Sequence, residues 1–458
     1  MTVTFALLIA YSILLVGIGI WIGRRVRAGG DFFVAGRGLS PALIFSTILA
    51  ANIGAGTTVN ATKIGYTDGL SAWWWNGSAG IGTLLLAFWV APRIWREAKA
   101  HGDLTVGDFL ERHYGRRMRG LVAVVIWLGT LSILAAQFFG IAVVLDVVAG
   151  VPHVAGAVAG ALIAGAYFIA GGLLSSASVN RVQLLVILAG FAVAAPLAIG
   201  SAGGWDAMTA HAGTRLNVFG HETAPGWRYL FMLAPAFIVS PGLLQKAYGA
   251  RDASAARTGI AWAGVVMLVF ACAPPILGLA ARALYPDLPL ADAALPALLT
   301  GALHPAIGGL ALAAVFSAEI SSADAVLFML ATSASRDLYK GFVRPQASDA
   351  DVLRVARVAA VVGSLCGLVL ALQFASILTA LTVFYSLLTV VLFVPVVSAL
   401  YLRGVRPPEG LASVLLGVPV LAVVHFATNG AGYGIIPPSL AGVLAGAAAF
   451  ATVRFVRR

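Results

Sequence analysis

Charge is scarce in this 458-residue chain: Asp, Glu, Lys and Arg make up 10% of it, against 60% hydrophobic residues. Soluble domains carry about 25% charged residues. The shortage excludes a soluble globular protein and leaves a polytopic membrane protein. Cysteine is almost absent. Cys272 and Cys366 fall in separate apolar spans with no metal spacing, so they are read as small buried hydrophobes. Histidine is thin as well. His101, His113, His153, His211, His221 and His304 lie in loops, and His425 stands alone near a span end. An embedded enzyme needs paired carboxylates, histidines or a nucleophile at mid-membrane, and none of these is assembled. Also missing is any linker rich in Pro, Ser or charge. The chain therefore reads as a single integral membrane domain, 1–458. Its longest outer loop, 202–226, holds Asp206, His211, His221 and Glu222 at irregular spacing, as expected of solvated side chains rather than a metal site.

Acidic residues are outnumbered, and the net charge is +11. The placement of the basic residues points away from nucleic acid. Thirteen apolar spans are read near 3–23, 39–67, 69–97, 116–150, 154–173, 176–201, 227–246, 257–284, 305–336, 353–374, 376–402, 411–427 and 436–455. Of the 29 Lys and Arg residues, all but Lys63, Arg215, Arg228 and Arg282 fall on one set of alternate sides, Lys246 among them. Basic residues concentrate on the cytoplasmic side of membrane proteins. The C-terminus is thus expected inside and the N-terminus outside. The first span begins without basic residues and ends at Arg24-Arg25 with no cleavage pattern, so it is read as a true span.

Two spans are interrupted. Gly54 and Gly56 break the second, and Pro235, Pro241 and Gly242 break the seventh. Interrupted helices at matching places in two halves point to an inverted repeat with its site at the midplane. The expected division is an extra N-terminal helix (3–23), a five-helix repeat (39–201), a second repeat (227–402) and two C-terminal helices (411–455). The fold class expected is all-α, five-plus-five, with a discontinuous first helix in each repeat.

Polar residues inside the spans gather in two places, Ala50-Ala51-Asn52-Ile53-Gly54-Ala55-Gly56-Thr57-Thr58 and Ala318-Glu319-Ile320-Ser321-Ser322-Ala323-Asp324. Ala318, Ser321 and Ser322 stand at i, i+3 and i+4 and share one helix face. Ala50 and Ile53 are one turn apart, just before glycines that free their carbonyls. Such oxygens suit a hard cation.

Four stretches resemble the sodium:solute symporters. They are Asp31-Phe32-Phe33-Val34-Ala35-Gly36-Arg37, Ala50-Ala51-Asn52-Ile53, Thr105-Val106-Gly107-Asp108-Phe109-Leu110-Glu111-Arg112-His113-Tyr114-Gly115, and Ser321-Ser322-Ala323-Asp324 with Arg336-Asp337-Leu338-Tyr339-Lys340. His113 is inserted before the tyrosine of the third. The resemblance implies sodium-coupled symport of a small organic solute into the cell, across the plasma or inner membrane, by alternating access. It implies a sodium ion held by the carbonyls of Ala50, Ile53 and Ala318 and the hydroxyls of Ser321 and Ser322. Relatives with a second cation position carry an aspartate where this chain has Asn180, whereas Asp324 stands where they carry a hydroxyl. The expectation is that the carboxylate has moved to the facing wall, where Asp324 serves a second sodium or a proton.

Solute-binding candidates are Asn52, Thr57, Thr58, Asn60, Asn76, Ser78, Tyr385 and Ser386. One of Trp73, Trp74 and Trp75 is expected in a cavity wall and the others at the membrane interface. Gln137 and Gln245 are read as structural amides. Glu319 is left with two readings, facing the cavity or pairing with Lys63. No obligate protein partner and no nucleic acid is implied. The competing reading is a sensor that keeps the fold with little net transport.

Overall fold

The structure, a computed structural model, describes residues 34–210, 212–221, 224–374 and 376–456, with 13 and 17; for 35, 167–179, 221 and 224 it describes the backbone alone. The span expected at 3–23 lies almost wholly outside the described residues, as do Asp31, Phe32, Phe33, His211 and Glu222.

Among the described residues, ten helices are long and apolar enough to cross a membrane. The protein is an all-α, multi-pass membrane protein. Its strands, among the described residues, are a hairpin of Gly220–His221 with Ala224–Pro225 in the 202–226 loop. The spans expected at 154–173 and 176–201 fall in one helical stretch of 49 residues, His153–Ser201. Straight, such a helix would extend about 74 Å, more than twice the hydrocarbon core. Its apolar ends, His153–Ala166 and Asn180–Ser201, are therefore separate candidates for a crossing.

Two helices break where glycine and proline foretell it. Helix α1 (Pro41–Asn52) starts under a Ser40 cap with proline in its first turn, a position where the missing N–H costs nothing. It stops at Ile53, which turns extended (φ −98, ψ 105). The chain resumes through a wide turn at Gly56–Asn60 into α2 (Ala61–Asp68). Helix α3 (Arg116–Ala149) runs beside this break. The second interruption separates α4 (Leu230–Val239) from α5 (Pro241–Tyr248) at Ser240 (φ −54, ψ 120). Pro241 has no N–H to continue the α4 ladder, so the helix restarts there. Helix α6 (Pro305–Thr332) faces α1.

Burial separates core helices from lipid-facing ones. The apolar windows of Arg116–Ala149 and Pro305–Val343 are each 89% buried, against 28% for Pro438–Val456. A helix apolar all round and buried all round belongs in the middle of a bundle. Cysteine placement differs from expectation. Cys272 faces outward from the bundle and Cys366 is half-buried, because a lipid-facing position accepts an apolar thiol as readily as the core does.

The loop motifs meet at one end of the bundle. Thr105 and Asp108 form a reciprocal cap on Val106–Tyr114, satisfying two orphan donors at once. The Thr105 hydroxyl also donates to Asp337, at 2.6 Å. Arg119 reaches Asp108 (2.9 Å), Glu111 (2.6 Å) and Asp337 (3.1 Å). Arg37 donates to the carbonyls of Ala98 (3.1 Å) and Asp103 (2.8 Å). Burial pushes the Asp103 carboxyl above the ordinary carboxylate range, and Arg112, 2.6 Å away, offsets part of that rise. These contacts fix the end of the bundle on which α1 begins and α6 finishes, so the two helices run antiparallel.

Candidate cation and solute site

The end of α1 presents carbonyls with no N–H partner, as every helix C-terminus does. In hydrocarbon each such group costs several kcal/mol, roughly, unless something satisfies it. Helix α6 supplies that something. The Ser321 hydroxyl lies 3.0 Å from the Ala50 carbonyl and 3.0 Å from that of Ala318. The Ser322 hydroxyl lies 3.2 Å from the Ala51 carbonyl and 3.1 Å from that of Ile53. Ser321 thus brings together the carbonyls of Ala50 and Ala318, and the adjacent Ser322 those of Ala51 and Ile53. Ligands about 2.4 Å from an ion stand roughly 3.4 Å from one another in an octahedral shell, so these spacings need to open only slightly.

Gly54 makes the approach possible. A Cβ there would lie 2.3 Å from the Ser322 hydroxyl oxygen and 2.5 Å from its Cβ. The freed N–H groups are satisfied locally. Gln137 of α3 accepts from the Ala55 N–H at 2.9 Å. Thr57 accepts from the Gly54 N–H at 2.9 Å, and the Thr57 and Thr58 hydroxyls both donate to the Gly54 carbonyl. Gln245 donates to Thr332 at 3.4 Å. Both glutamines are structural, as the sequence implied.

One turn nearer the loop-motif end lies a second polar cluster. Asn180 donates to the Thr47 hydroxyl at 3.4 Å. Lys246 donates to the Thr47 carbonyl at 3.0 Å and is 2% exposed. Asp324, one turn beyond Ser321 on α6, is buried as well. Lys246 was expected among the cytoplasmic charges and instead lies in the interior. The readable signal was a lysine only five residues beyond Pro241, at the last position of an apolar span.

Lys63 pairs with Asp292 at 2.7 Å. It does not pair with Glu319. The latter is fully buried, with neither carboxylate oxygen partnered among the described residues. It packs so close to Gly140 of α3 that a Cβ there would meet it at 2.3 Å.

The solute candidates separate into three groups. Asn52 and Tyr385 line a cavity of about 60 Å³ with Ser240, Phe237, Phe384 and Lys246. Ser386 lines a separate cavity of about 260 Å³, with Asp68, Tyr229, Arg228 and His425. Thr57, Thr58, Asn60, Asn76 and Ser78 line neither. Asn76 donates to the Thr57 carbonyl at 2.9 Å, while the amide of Asn60 and the hydroxyl of Ser78 are buried without a partner among the described residues. Trp75, 2% exposed, packs on Tyr229 (5.0 Å between rings) and Tyr385 (6.3 Å). It is the buried tryptophan of the three, packed on a ring from each cavity wall, while Trp73 and Trp74 are half-buried and meet edge to face at 5.3 Å. An aromatic layer therefore parts the two cavities. A space of 60 Å³ holds about two waters, so entry of a solute requires this wall to move.

The fold is that of cation-coupled membrane transporters. A sodium-coupled sialic acid symporter, solved substrate-bound and outward-open, superposes with a TM-score of 0.85 at 16% identity, covering 100% of this chain and 98% of that one. A closed nucleobase-cation-symport-1 family transporter with bromovinylhydantoin bound gives 0.62 at 15% identity, covering 93% and 95%. Among sequences, a sodium/glucose cotransporter of Vibrio parahaemolyticus is 24% identical over 77% of this chain and 71% of its own length. A high-affinity choline transporter of Drosophila melanogaster is 26% identical over 84% and 65%. The sodium/pantothenate symporter of Escherichia coli (strain K12) is 25% identical over 80% and 78%. The chain thus spans roughly two thirds to four fifths of these relatives. The model of the sodium:solute symporter family matches residues 32–417, and the chain belongs to that family. It is a transporter that couples sodium to a small organic solute, not an enzyme.

Proposed function

We propose that sodium binds in the cage of Ala50, Ile53, Ala318, Ser321 and Ser322 and drives inward movement of a small polar organic solute held beside the break. The observation that carries this reading is the pair of serine hydroxyls bridging to the α1 carbonyls at 3.0–3.2 Å. Sodium replaces those hydrogen bonds with coordination, and the hydroxyl protons turn outward. The ion then clamps α1 to α6, and the clamp favours closure around the solute. A cation that did not bind the closed state better would couple nothing. Each inward charge gains about 2.3 kcal/mol per 100 mV of membrane potential.

The solute side rests on Asn52, Tyr385 and Ser386, with Thr57, Thr58, Asn60, Asn76 and Ser78 behind them. Aromatic walls with a few polar groups suit a small solute of mixed character. Below the cage, Asp324 and Asn180 border a second cation position. The architecture proposed is thirteen spans in one transporter domain, 1–458. Helix 3–23 precedes two inverted repeats, 39–201 and 227–402, and helices within 411–455 follow. The breaks at Ile53 and Ser240, five spans apart, support the repeat. The N-terminus is outside and the C-terminus cytoplasmic, an orientation supported by the basic residues around Arg112 and Arg119.

Uptake by purified protein in proteoliposomes, run against a panel of radiolabelled sugars, amino acids, carboxylates and quaternary amines, tests the reading. One solute is expected to accumulate under an inward sodium gradient and not under N-methylglucamine. Accumulation indifferent to that replacement overturns it.

A further inference from the structure

The second cation position described above already has a charged neighbour. We infer that this position is filled by the protein's own ammonium, that of Lys246, so that the chain carries one sodium per cycle. The inference rests on the cage proposed for the first sodium.

Position and charge carry the argument. The Lys246 ammonium is buried and donates to the Thr47 carbonyl at 3.0 Å. Thr47 stands one turn before Ala50 on α1, and Asp324 stands one turn after Ser321 on α6. Because α1 and α6 run antiparallel, both steps lead toward the same end of the bundle. The ammonium is therefore held by a carbonyl one helical turn before the cage on α1. A backbone carbonyl of α1 holds it as one would hold a bound cation, and the α6 carboxylate that would attract such a cation, Asp324, is buried one turn from Ser321. The third wall, Asn180, brings a neutral amide that donates to Thr47.

Charge balance leads to the same result. A carboxylate at this depth requires a cation, and Lys246 supplies one tethered by its own chain. The cage above contributes neutral oxygens alone, and its one open charge is that of one sodium. A second sodium at Asp324 would have to enter beside the ammonium and be repelled by it. Lys246 also lines the inner cavity with Asn52 and Tyr385. The tethered charge therefore also borders the solute cavity.

Sodium alone is the probe. Equilibrium binding of radioactive sodium to the purified full chain is expected to saturate at one ion per chain with a Hill coefficient of one. Lys246→Met leaves Asp324 without its cation and is expected to bind two. The double variant Lys246→Met, Asp324→Asn returns to one ion at near wild-type affinity. Asp324→Asn alone strands the ammonium below the cage and weakens the single sodium about tenfold or more. If Lys246→Met is not recovered folded, the last two variants decide. Equal sodium affinity in Asp324→Asn and in the double variant then overturns the inference. Two ions in the wild type, or one in a folded Lys246→Met, overturns it while leaving the cage intact. No sodium binding by the wild type overturns the cage and the inference together.

Discussion

The two broken helices differ in what their breaks are for. At the first, Ile53 turns extended, the carbonyls of Ala50, Ala51 and Ile53 meet hydroxyls from α6, and that of Gly54 meets hydroxyls of the wide turn that follows. At the second, Pro241 forces the restart and Ser240 opens onto the 60 Å³ cavity. Each carries a glycine nearby, yet only one of them is sterically required. A Cβ on Gly54 would collide with Ser322 at 2.3 Å, whereas one on Gly242 would meet nothing nearer than the Met329 sulfur at 3.7 Å. The first break is tightly packed against α6, where the ion is proposed to sit. The second is a loosely packed wall that has room to move.

The contrast orders the predictions. Gly54→Ala has the largest effect, because the methyl drives α1 off α6. Sodium affinity is expected to fall about 100-fold or more, read by radioactive sodium binding on protein that still elutes as a folded species. Ser322→Ala removes one cage oxygen and leaves two carbonyls unsatisfied, weakening sodium roughly 10- to 100-fold. Tyr385→Ala empties the aromatic layer against Phe237 and Trp75. It is expected to raise the solute KM about tenfold while sodium affinity holds. A matching loss of sodium affinity would show that the cage and the cavity are not separable. Gly242→Ala is expected to be nearly silent. Sodium affinity stays within about twofold, and the Tm holds or rises, since Gly→Ala at a compatible helical position stabilises by up to about 1 kcal/mol. A large loss there would mean that the second break is packed as tightly as the first.

The meeting of the α1 break with Ser321 and Ser322 was legible because it obeys helical arithmetic. Spacing of i, i+3 and i+4 on α6 and a glycine after the last turn of α1 are local signals, and they survive without knowledge of the partner helix. What was not legible depends on tertiary contact. Lys63 finds Asp292, 229 positions away, and nothing in either neighbourhood announces the other. Lys246 reads as a loop charge until α5 turns it inward under Thr47. Thr57 and Thr58 look like solute ligands by composition, yet a broken helix at mid-membrane needs its own carbonyls satisfied first, and Gly54 takes both hydroxyls. The loop motifs were recognisable as patterns. Their purpose, an Arg119-centred junction with Asp108, Glu111 and Asp337, emerges only when two segments more than 200 positions apart meet.

The most direct measurement is an experimental structure in sodium, at a resolution that resolves the ion from water. The account predicts one density within about 2.4 Å of the Ala50, Ile53 and Ala318 carbonyls and the Ser321 and Ser322 hydroxyls, at bond lengths usual for oxygen-liganded hard cations. Serine hydroxyls still hydrogen-bonded to those carbonyls at saturating sodium, with the ion density elsewhere, would contradict it.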